Sequence, residues 1–310
     1  MQGAIIVYGD IMLDIYLHSA KTNKIESDKL VCLVNQRKSY LGGAANVAAN
    51  LAGCGCDVRL IGSMGNDAYT REIHQLLDEK KINREVVVCS DNRINTVKTR
   101  VRIENEPILR YDMERYQVLD DCENEYVEQY IDKVFSRPVA CVVISDYQKG
   151  MLDSKAFSVL KELAKKNNVP IMIDSKSADC SVFEDSFLVS LTADELGSLL
   201  QRSFVDEQEE LEFSRDFMRT YNVKNLVLKK NKKGVVLISK DEKRQYASTV
   251  NTVVNTVGAG DAFVAACAYN LAAGRDVQQC VFYSNQVSSF VVQKADTYAI
   301  QKKDLVGIMN

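Results

Sequence analysis

Two glycines and an aspartate in the last fifth of the chain form the motif best suited to chemistry. Gly258, Ala259 and Gly260 precede Asp261 and open a long run of small residues that predicts a helix. Backbone N–H groups at a helix start bind anions, because small residues leave them accessible and the helix dipole is positive there. A carboxylate beside a bound phosphate can take the proton of an acceptor hydroxyl. The motif therefore predicts phosphoryl transfer, with Asp261 as the base.

Asp261 also has a purely structural interpretation, since an acid in the first turn of a helix stabilises the helix dipole. Glycine-rich turns before helices are common, so this motif alone leaves both interpretations open. The residues at the ends of the predicted strands favour the catalytic one.

Those strand ends carry polar residues in unusual number. Asp10 and Asp14 follow the first strand, Asp146 follows the strand at 140–145, and Asp174 and Lys176 follow the apolar residues 171–173. A single aspartate after a strand is usually a turn or cap residue. Several at one sheet edge, facing an anion site, predict a polyhydroxylated substrate beside a phosphate donor.

Gly42, Gly43 and Asn46 open the first predicted helix. A glycine pair allows the backbone to approach a ligand closely, and asparagine either caps a helix or binds a hydroxyl. These residues are therefore candidates for the same substrate site.

Strands and helices alternate along the chain, and this order predicts a parallel α/β sheet whose ligands lie at the carboxyl ends of the strands. The predicted strands are 4–9, 58–62, 86–88, 140–145, 170–174, 186–190, 225–229 and 234–239. The predicted helices are 44–52, 69–81, 155–166, 209–221, 260–273 and 277–292.

Two segments, within about 12–40 and 96–112, interrupt the alternation with period-two strand patterns. In the second, Val97, Thr99 and Val101 alternate with Lys98 and Arg100. We expect a small antiparallel lid over the sheet edge.

Composition excludes several classes of protein. The 310 residues carry a net charge of -3, which provides no basic surface for nucleic acid or for an anionic membrane. No apolar run has the length of a membrane span and no signal-peptide pattern opens the chain, so we expect a cytoplasmic protein without a membrane partner. The 9 scattered cysteines indicate reduced thiols, and 2 histidines are too few for a histidine metal cluster.

The motifs at 42–46 and 258–261 resemble, in their order, those of the ribokinase-like (PfkB) carbohydrate kinases. Residues 9–14, 42–49, 108–112 and 145–150 more narrowly resemble the kinase domain of bacterial ADP-heptose synthesis enzymes. The resemblance covers essentially all of residues 1–310. It implies one kinase domain, a three-layer α/β sandwich with a mostly parallel central sheet and a small β-lid. It also implies transfer of the ATP γ-phosphoryl group to the anomeric hydroxyl of D-glycero-D-manno-heptose 7-phosphate.

The resemblance implies a role for each matching residue. Asp261 would be the base, and the amides of Gly258, Ala259 and Gly260 would stabilise the transferring group. The substrate would contact Asp14, Gly42, Gly43, Asn46, Asp146 and Lys176. Its distal phosphate would meet Lys98, Arg100 and Arg110, although for each of these cations a solvated strand face remains an equal alternative.

On the nucleotide side, the resemblance points to ATP at Lys229, Gly234 and Asn285, and to Mg²⁺ near Asp194. Asn285 also fits an ordinary helix surface. The family's Asn-x-x-Glu motif corresponds to Leu191-Thr192-Ala193-Asp194, and Asn255 replaces an acid that starts the catalytic motif. These departures leave open a sugar-phosphate-binding pseudokinase, and a kinase for another sugar or sugar phosphate. As in many relatives, a homodimer through the lid is expected.

Overall fold

The structure is a computed structural model that describes residues 3–20, 25–26, 29–104, 106–240, 242–250 and 252–309. In chain order its strands are β1 Ala4–Gly9, β2 Ile11–Ser19, β3 Ile25–Glu26, β4 Lys29–Leu30, β5 Val34–Gly43, β6 Val58–Gly65, β7 Asn83–Ser90, β8 Thr96–Ile103, β9 Glu106–Met113, β10 Val139–Asp146, β11 Ile171–Ser175, β12 Leu188–Thr192, β13 Asn225–Lys229, β14 Val235–Ser239 and β15 Lys243–Tyr246. Its helices are α1 Ala44–Gly53, α2 Thr70–Glu79, α3 Asp121–Phe135, α4 Lys155–Lys166, α5 Ala193–Leu199, α6 Glu207–Thr220, α7 Ala259–Ala272, α8 Val277–Val291 and α9 Lys302–Met309.

A nine-stranded sheet forms the centre of the fold, in the order β15-β14-β13-β12-β11-β10-β1-β6-β7. The strands from β13 to β7 pair in parallel, whereas β14 and β15 add an antiparallel edge. The predicted, mostly parallel α/β sheet is thus confirmed. Its parallel strands place their carboxyl ends at one edge of the sheet, where the polar residues of the sequence motifs follow them.

Helices cover both faces of this sheet, because its strands are apolar on both sides. In β1, Ile5 and Val7 pack into one core cluster with α1 and α7, while Ile6 and Tyr8 pack into a second with α3 and α4. Successive side chains of a strand point to opposite faces. The result is the predicted three-layer sandwich.

Small residues determine how α1 and α7 pack. Alanines dominate both sequences, and the two helices lie against each other and against the sheet. Small side chains allow helix backbones to approach closely. This contact holds the start of α1 close to the start of α7.

A separate four-stranded sheet, in the order β5-β2-β8-β9, forms the lid. Both predicted lid segments contribute to it, although the first includes residues 21–24 and 27–28, which lie outside the described residues. The expectation of an antiparallel lid is wrong in one respect, because β2 and β8 pair in parallel. Residues 20–95 lie between them, including α1 and α2, and this long connection permits the parallel arrangement.

The sequence patterns predicted which elements form more accurately than where each element begins and ends. Strands β1 and β13 and helix α4 have the predicted bounds, and the other predicted elements shift by a few residues. Helix α3 was not predicted. Asp120 and Glu123 form a capping box at its start, which is a signal visible in the sequence. No helix within the described ranges is long and apolar enough to cross a membrane.

Candidate active site

The start of α7 forms the floor of the site. Gly258 is the N-cap in a left-handed conformation with φ 80°, and a Cβ there would lie 2.8 Å from Asn46 Nδ2. The Ala259 N–H donates to the Thr256 carbonyl over 3.2 Å. Of the three predicted amides, this one is therefore already engaged. Within the part of the chain that the structure describes, the N–H groups of Gly258 and Gly260 have no hydrogen-bond partner and remain candidates for binding an anion.

Asp261 is buried at this helix start, with 6% of its surface exposed. Asn46 Nδ2 donates to one carboxylate oxygen over 2.7 Å, and the Tyr147 hydroxyl donates to the other over 2.9 Å. Burial raises the pKa of Asp261 from 3.8 to about 6, although the hydrogen bonds from Asn46 and Tyr147 oppose the rise. The carboxylate is therefore ionised at neutral pH yet basic enough to accept a proton.

The predicted sugar-side residues meet beside Asp261. Because β2 pairs with β5, a Cβ on Gly42 would lie 3.0 Å from Asp14 Oδ2. Gly43 adopts φ 56°, and a Cβ there would lie 2.5 Å from the Asp10 carbonyl, so this turn needs glycine. It places Asn46 in the first turn of α1, within reach of Asp261. The structure brings Asp14, Gly42, Gly43, Asn46 and Asp261 together.

The three predicted lid cations differ in their surroundings. Arg100 donates to Asp14 over 2.6 Å and is mostly buried, so its charge is already compensated. Arg110 is exposed and pairs with Asp112 on its own strand. Lys98 lies 5.6 Å from the ring centre of Tyr147, and burial lowers its pKa. Of the three, Lys98 is the cation best placed for a ligand anion.

Asp146 is engaged beneath the site rather than within it. Its carboxylate accepts from the Ser175 hydroxyl over 2.5 Å and from the Gln148 N–H over 2.9 Å. Asp10 lies beside it and accepts from the backbone N–H groups of Tyr147 and Lys149. Burial raises the pKa of both acids, and the charge of Asp146 adds to the rise at Asp10. Both carboxylate oxygens of Asp146 thus already accept a hydrogen bond within the protein, and its substrate contact stays a prediction.

Two lysines with acid partners line the other side of Gly260. Lys229 donates to Asp174 over 3.0 Å, and Lys176 donates to Glu195 over 2.7 Å. A Cβ on Gly260 would lie 3.6 Å from Asp174 Oδ2 and 3.8 Å from Lys229 Nζ. The Lys229–Asp174 pair is thus adjacent to the candidate anion site at the start of α7.

The predicted Asp194 does not join this group. It is exposed and lines a separate surface cavity with Arg202 and Glu210. Its neighbour Glu195 faces Lys176 and accepts from the Thr192 N–H over 2.7 Å. Burial alone raises the pKa of Glu195, but Lys229 and Lys176 bring it below the usual value. Of the two acids, Glu195 is therefore the one that faces the lysines of the site.

Gly234 and Asn285 both contact the segment 246–248, and together they form one wall of the site on the side of Lys229. Gly234 has φ 89°, and a Cβ there would lie 2.6 Å from Ser248 N. Asn285 Nδ2 donates to the Ala247 carbonyl over 2.8 Å, so this buried asparagine is not a helix surface residue. Ser288 on the same helix donates to the Ala259 carbonyl over 3.2 Å. Helix α8 thereby links this wall to the start of α7.

Asn255 connects the turn before α7 to the lid. Its backbone N–H donates to the Val292 carbonyl over 3.0 Å, and its side chain donates to the Tyr16 hydroxyl over 3.3 Å. Asn255 thus places an amide where the resemblance expects an acid, and its hydrogen bonds support the turn before α7.

Sequence reasoning missed two residues of the site, Tyr147 and Glu195. Tyr147 follows β10 directly and lay inside the quoted segment 145–150, but its side chain had no recognised role. Glu195 stands three residues after Thr192, and this capping-box spacing was the signal available for it. Among the described residues, no three His, Cys, Asp or Glu side chains form a ready metal site.

Comparison with known proteins agrees with this geometry. A family model described as pfkB family carbohydrate kinase matches residues 2–304. The chain belongs to the pfkB family of carbohydrate kinases. This is the family that the sequence resemblance predicts.

Curated relatives are named bifunctional protein HldE. That of Coxiella burnetii (strain RSA 331 / Henzerling II) is 31% identical over 309 residues, which cover 97% of this chain and 62% of the relative. That of Aliarcobacter butzleri (strain RM4018) is 28% identical over 293 residues, which cover 94% of this chain and 61% of the relative. This chain thus spans about three fifths of the length of these relatives.

Solved structures share the fold at low identity. The structure of Arabidopsis thaliana ribokinase complexed with ribose and ATP has a TM-score of 0.77 and 18% identity, with 100% of this chain and 99% of that chain covered. Escherichia coli phosphofructokinase-2 in complex with fructose-6-phosphate has a TM-score of 0.80 and 17% identity, with 99% and 98% covered. Both comparisons support the ribokinase-like fold.

Proposed function

We propose that this kinase phosphorylates the anomeric hydroxyl of D-glycero-D-manno-heptose 7-phosphate and forms the 1,7-bisphosphate. The observation that carries the proposal is the buried Asp261 carboxylate, held by Asn46 and Tyr147 beside the open amides of α7. The similarity to HldE proteins supports a heptose as the sugar. The product would supply heptose for lipopolysaccharide or capsule.

The proposed reaction forms one bond, breaks one bond and transfers one proton. The anomeric oxygen forms a bond to the γ-phosphorus of ATP, and its proton passes to Asp261. The bond from the γ-phosphorus to the bridging oxygen breaks, and the electron pair leaves with ADP. The N–H groups of Gly258 and Gly260 are aimed at the charge of the transferring group.

The sugar would lie between the starts of β2 and α1. Asp14 and Asn46 offer an acceptor and a donor for its hydroxyls, and the glycines at 42 and 43 allow the chain to pass close to Asp14 and Asp10. We assign its distal phosphate to Lys98, because Arg100 is paired with Asp14 and Arg110 with Asp112. A phosphate there would oppose the effect of burial, which lowers the pKa of Lys98.

ATP fits the opposite side of Gly260. Lys229 would face its phosphates, and so would Lys176, in place of the sugar contact predicted for it. Gly234 and Asn285 belong to the wall proposed for the rest of the nucleotide. Mg²⁺ bound with ATP would neutralise phosphate charge, and it commonly needs only one or two protein carboxylates. We propose Glu195 for this role in place of Asp194.

Two alternatives differ in their support. A kinase for another sugar or sugar phosphate stays open. The stereochemistry of the sugar hydroxyls is recognised by side-chain geometry, and a sequence identity of about 30% to the relatives does not determine that geometry. We propose that the Asn-x-x-Glu motif corresponds to residues 192–195, so that Glu195 supplies its acid while Thr192 lacks its amide, and one of the two grounds for the pseudokinase is weakened. Asn255 remains as its other ground.

We also propose one kinase domain over residues 1–310, paired into a homodimer through the lid. Strand β9 is an edge strand, and Ile108, Leu109, Tyr111 and Met113 on it are all exposed. An exposed apolar edge strand needs a cover. Because its donor would be cellular ATP, we expect the enzyme in the cytoplasm.

The decisive experiment measures ADP release with Mg-ATP and a panel of acceptors. The panel contains heptose 7-phosphate, ribose, fructose 1-phosphate and fructose 6-phosphate, and the control is Asp261→Asn. Turnover on the heptose phosphate alone, lost in the variant, supports the proposal. Turnover on another member replaces the substrate, and silence despite sugar-phosphate binding favours the pseudokinase.

A further inference from the structure

Tyr147 occupies the centre of the candidate site and belongs to none of the sequence motifs with an assigned role. It follows β10, and its backbone N–H donates to Asp10 Oδ2 over 2.7 Å. This bond anchors the main chain of Tyr147 to the supporting pair of buried acids. The direction of its side chain is therefore determined by the sheet beneath it.

The Tyr147 hydroxyl reaches the candidate base. It donates to Asp261 Oδ1 over 2.9 Å, while Asn46 donates to Oδ2 over 2.7 Å. Each carboxylate oxygen can accept more than one hydrogen bond, so the hydroxyl of a substrate can still donate to Asp261. The two donors hold the carboxylate in one orientation.

The ring of Tyr147 lies between cations from the two sides of the site. Lys98 Nζ from the lid is 5.6 Å from the ring centre, and Lys176 Nζ from the nucleotide side is 5.4 Å from it. Ammonium groups within about 6 Å of an aromatic ring are attracted to its face. The ring thus packs against both cations that we assign to phosphates.

The hydroxyl of Tyr147 is a permanent donor. Burial, followed by the negative charges of Asp261 and Asp174, raises its pKa well above 10. It therefore keeps its proton across the working pH range and does not compete with Asp261 as the base.

Charges from several elements face Asp261. Asp174 of β11 and Asp14 of β2 add to the effect of burial and raise its pKa, while Lys176 after β11 lies close enough to interact with it. The hydrogen bonds from Asn46 and Tyr147 act in the opposite direction. Loss of either donor would therefore raise the pKa of Asp261 further.

We propose that Tyr147 is a positioning residue that keeps Asp261 ionised and correctly oriented to accept the proton of the sugar hydroxyl. This role deepens the proposed kinase reaction and rests on it. It makes Tyr147 a determinant of the acid limit of activity, separate from the residues that contact the substrate.

Tyr147→Phe tests the proposal, because it removes the hydroxyl and retains the ring. Tyr116→Phe is the matched control, since the Tyr116 hydroxyl also donates to an aspartate, Asp153, over 2.8 Å, but on the exposed surface. The hydrogen bond to a charged group corresponds to a pKa rise of about one unit for Asp261 in Tyr147→Phe. Simple titration then predicts that kcat/KM falls about fivefold at pH 6 and almost not at pH 8. Tyr116→Phe should match the wild type at both values.

A second measurement is independent of turnover. In protein labelled with ¹³C at aspartate carboxyls, the Asp261 signal is assigned with Asp261→Asn and titrated in wild type and both tyrosine variants. An upward shift only in Tyr147→Phe supports the proposal even if no acceptor in the panel is phosphorylated. An unchanged Asp261 titration overturns it, and a lower melting temperature with that unchanged titration would assign Tyr147 a packing role only.

Discussion

Gly260→Ala separates a glycine needed for chemistry from one needed for folding. A methyl group there would lie 3.6 Å from Asp174 Oδ2 and 3.8 Å from Lys229 Nζ, which are ordinary contact distances. Gly260 lies in the first turn of α7 and has no left-handed φ. Alanine should therefore fit, and it stabilises such a position by about 0.4–1 kcal/mol because it restricts the unfolded chain.

The same methyl group would enter the candidate anion site, between the Gly260 N–H and the Lys229–Asp174 pair. Alanine keeps the backbone N–H, but a methyl group that holds the phosphate away from it would cost about as much as losing that donor, which is usually about 100- to 1,000-fold in turnover. We therefore expect ADP release to fall by at least about 100-fold, at a melting temperature equal to or slightly above that of the wild type. The stabilising shift that Mg-ATP causes should also shrink.

Gly258→Ala is the matched control, because its Cβ meets the protein itself. The left-handed φ of 80° disfavours alanine, and Asn46 Nδ2 at 2.8 Å would have to move away from Asp261. This variant should lose about 1 kcal/mol or more of stability together with activity. The reasoning is refuted if Gly260→Ala retains turnover within threefold of the wild type, or if it destabilises the protein as Gly258→Ala does.

Three further predictions test the base, the register of the acid motif and the lid. Asp261→Asn should lower turnover by about 100- to 10,000-fold. Because the folded protein raises the pKa of Asp261 to about 6, the contribution of Asp261 to wild-type stability should fall by about 2 kcal/mol as pH rises from 4 to 8, and urea melts at both ends should show that the variant lacks this component. Glu195→Gln should weaken Mg-ATP binding in thermal-shift titrations, whereas its neighbour Asp194→Asn should not; the opposite order would restore the original register. Leu109→Glu should convert a dimer to a monomer in light scattering without loss of secondary structure, and a wild-type monomer would contradict the lid interface.

The main layers of the fold were predictable from local patterns. Helix α4 shows an amphipathic pattern and β1 is a continuous apolar strand, so each element's type followed from its own residues. The parallel pairing of β2 with β8 was not predictable in this way. Strand alternation reports which face is buried, but it contains no information on the partner strand or its direction.

The misplaced acid of the site has a simple geometric cause. Asp194 and Glu195 are adjacent in the sequence, yet neighbouring helical residues point about 100° apart, so one faces solvent and the other faces Lys176. The helix start at Ala193, determined by the Thr192 cap, decides which one enters the site. Motif spacing alone did not locate that start.

The sequence by itself determined the chemistry available to this protein: glycine amides at a helix start, a following carboxylate, and acids at the ends of parallel strands. These properties depend on residue type and on neighbours along the chain. Only the tertiary structure decided which groups cooperate, because Asn46 and Asp261 are 215 residues apart and Tyr147 and Asp261 are 114 apart. The pKa of Asp261 depends on burial and on those distant donors, so it is a property of the packed fold.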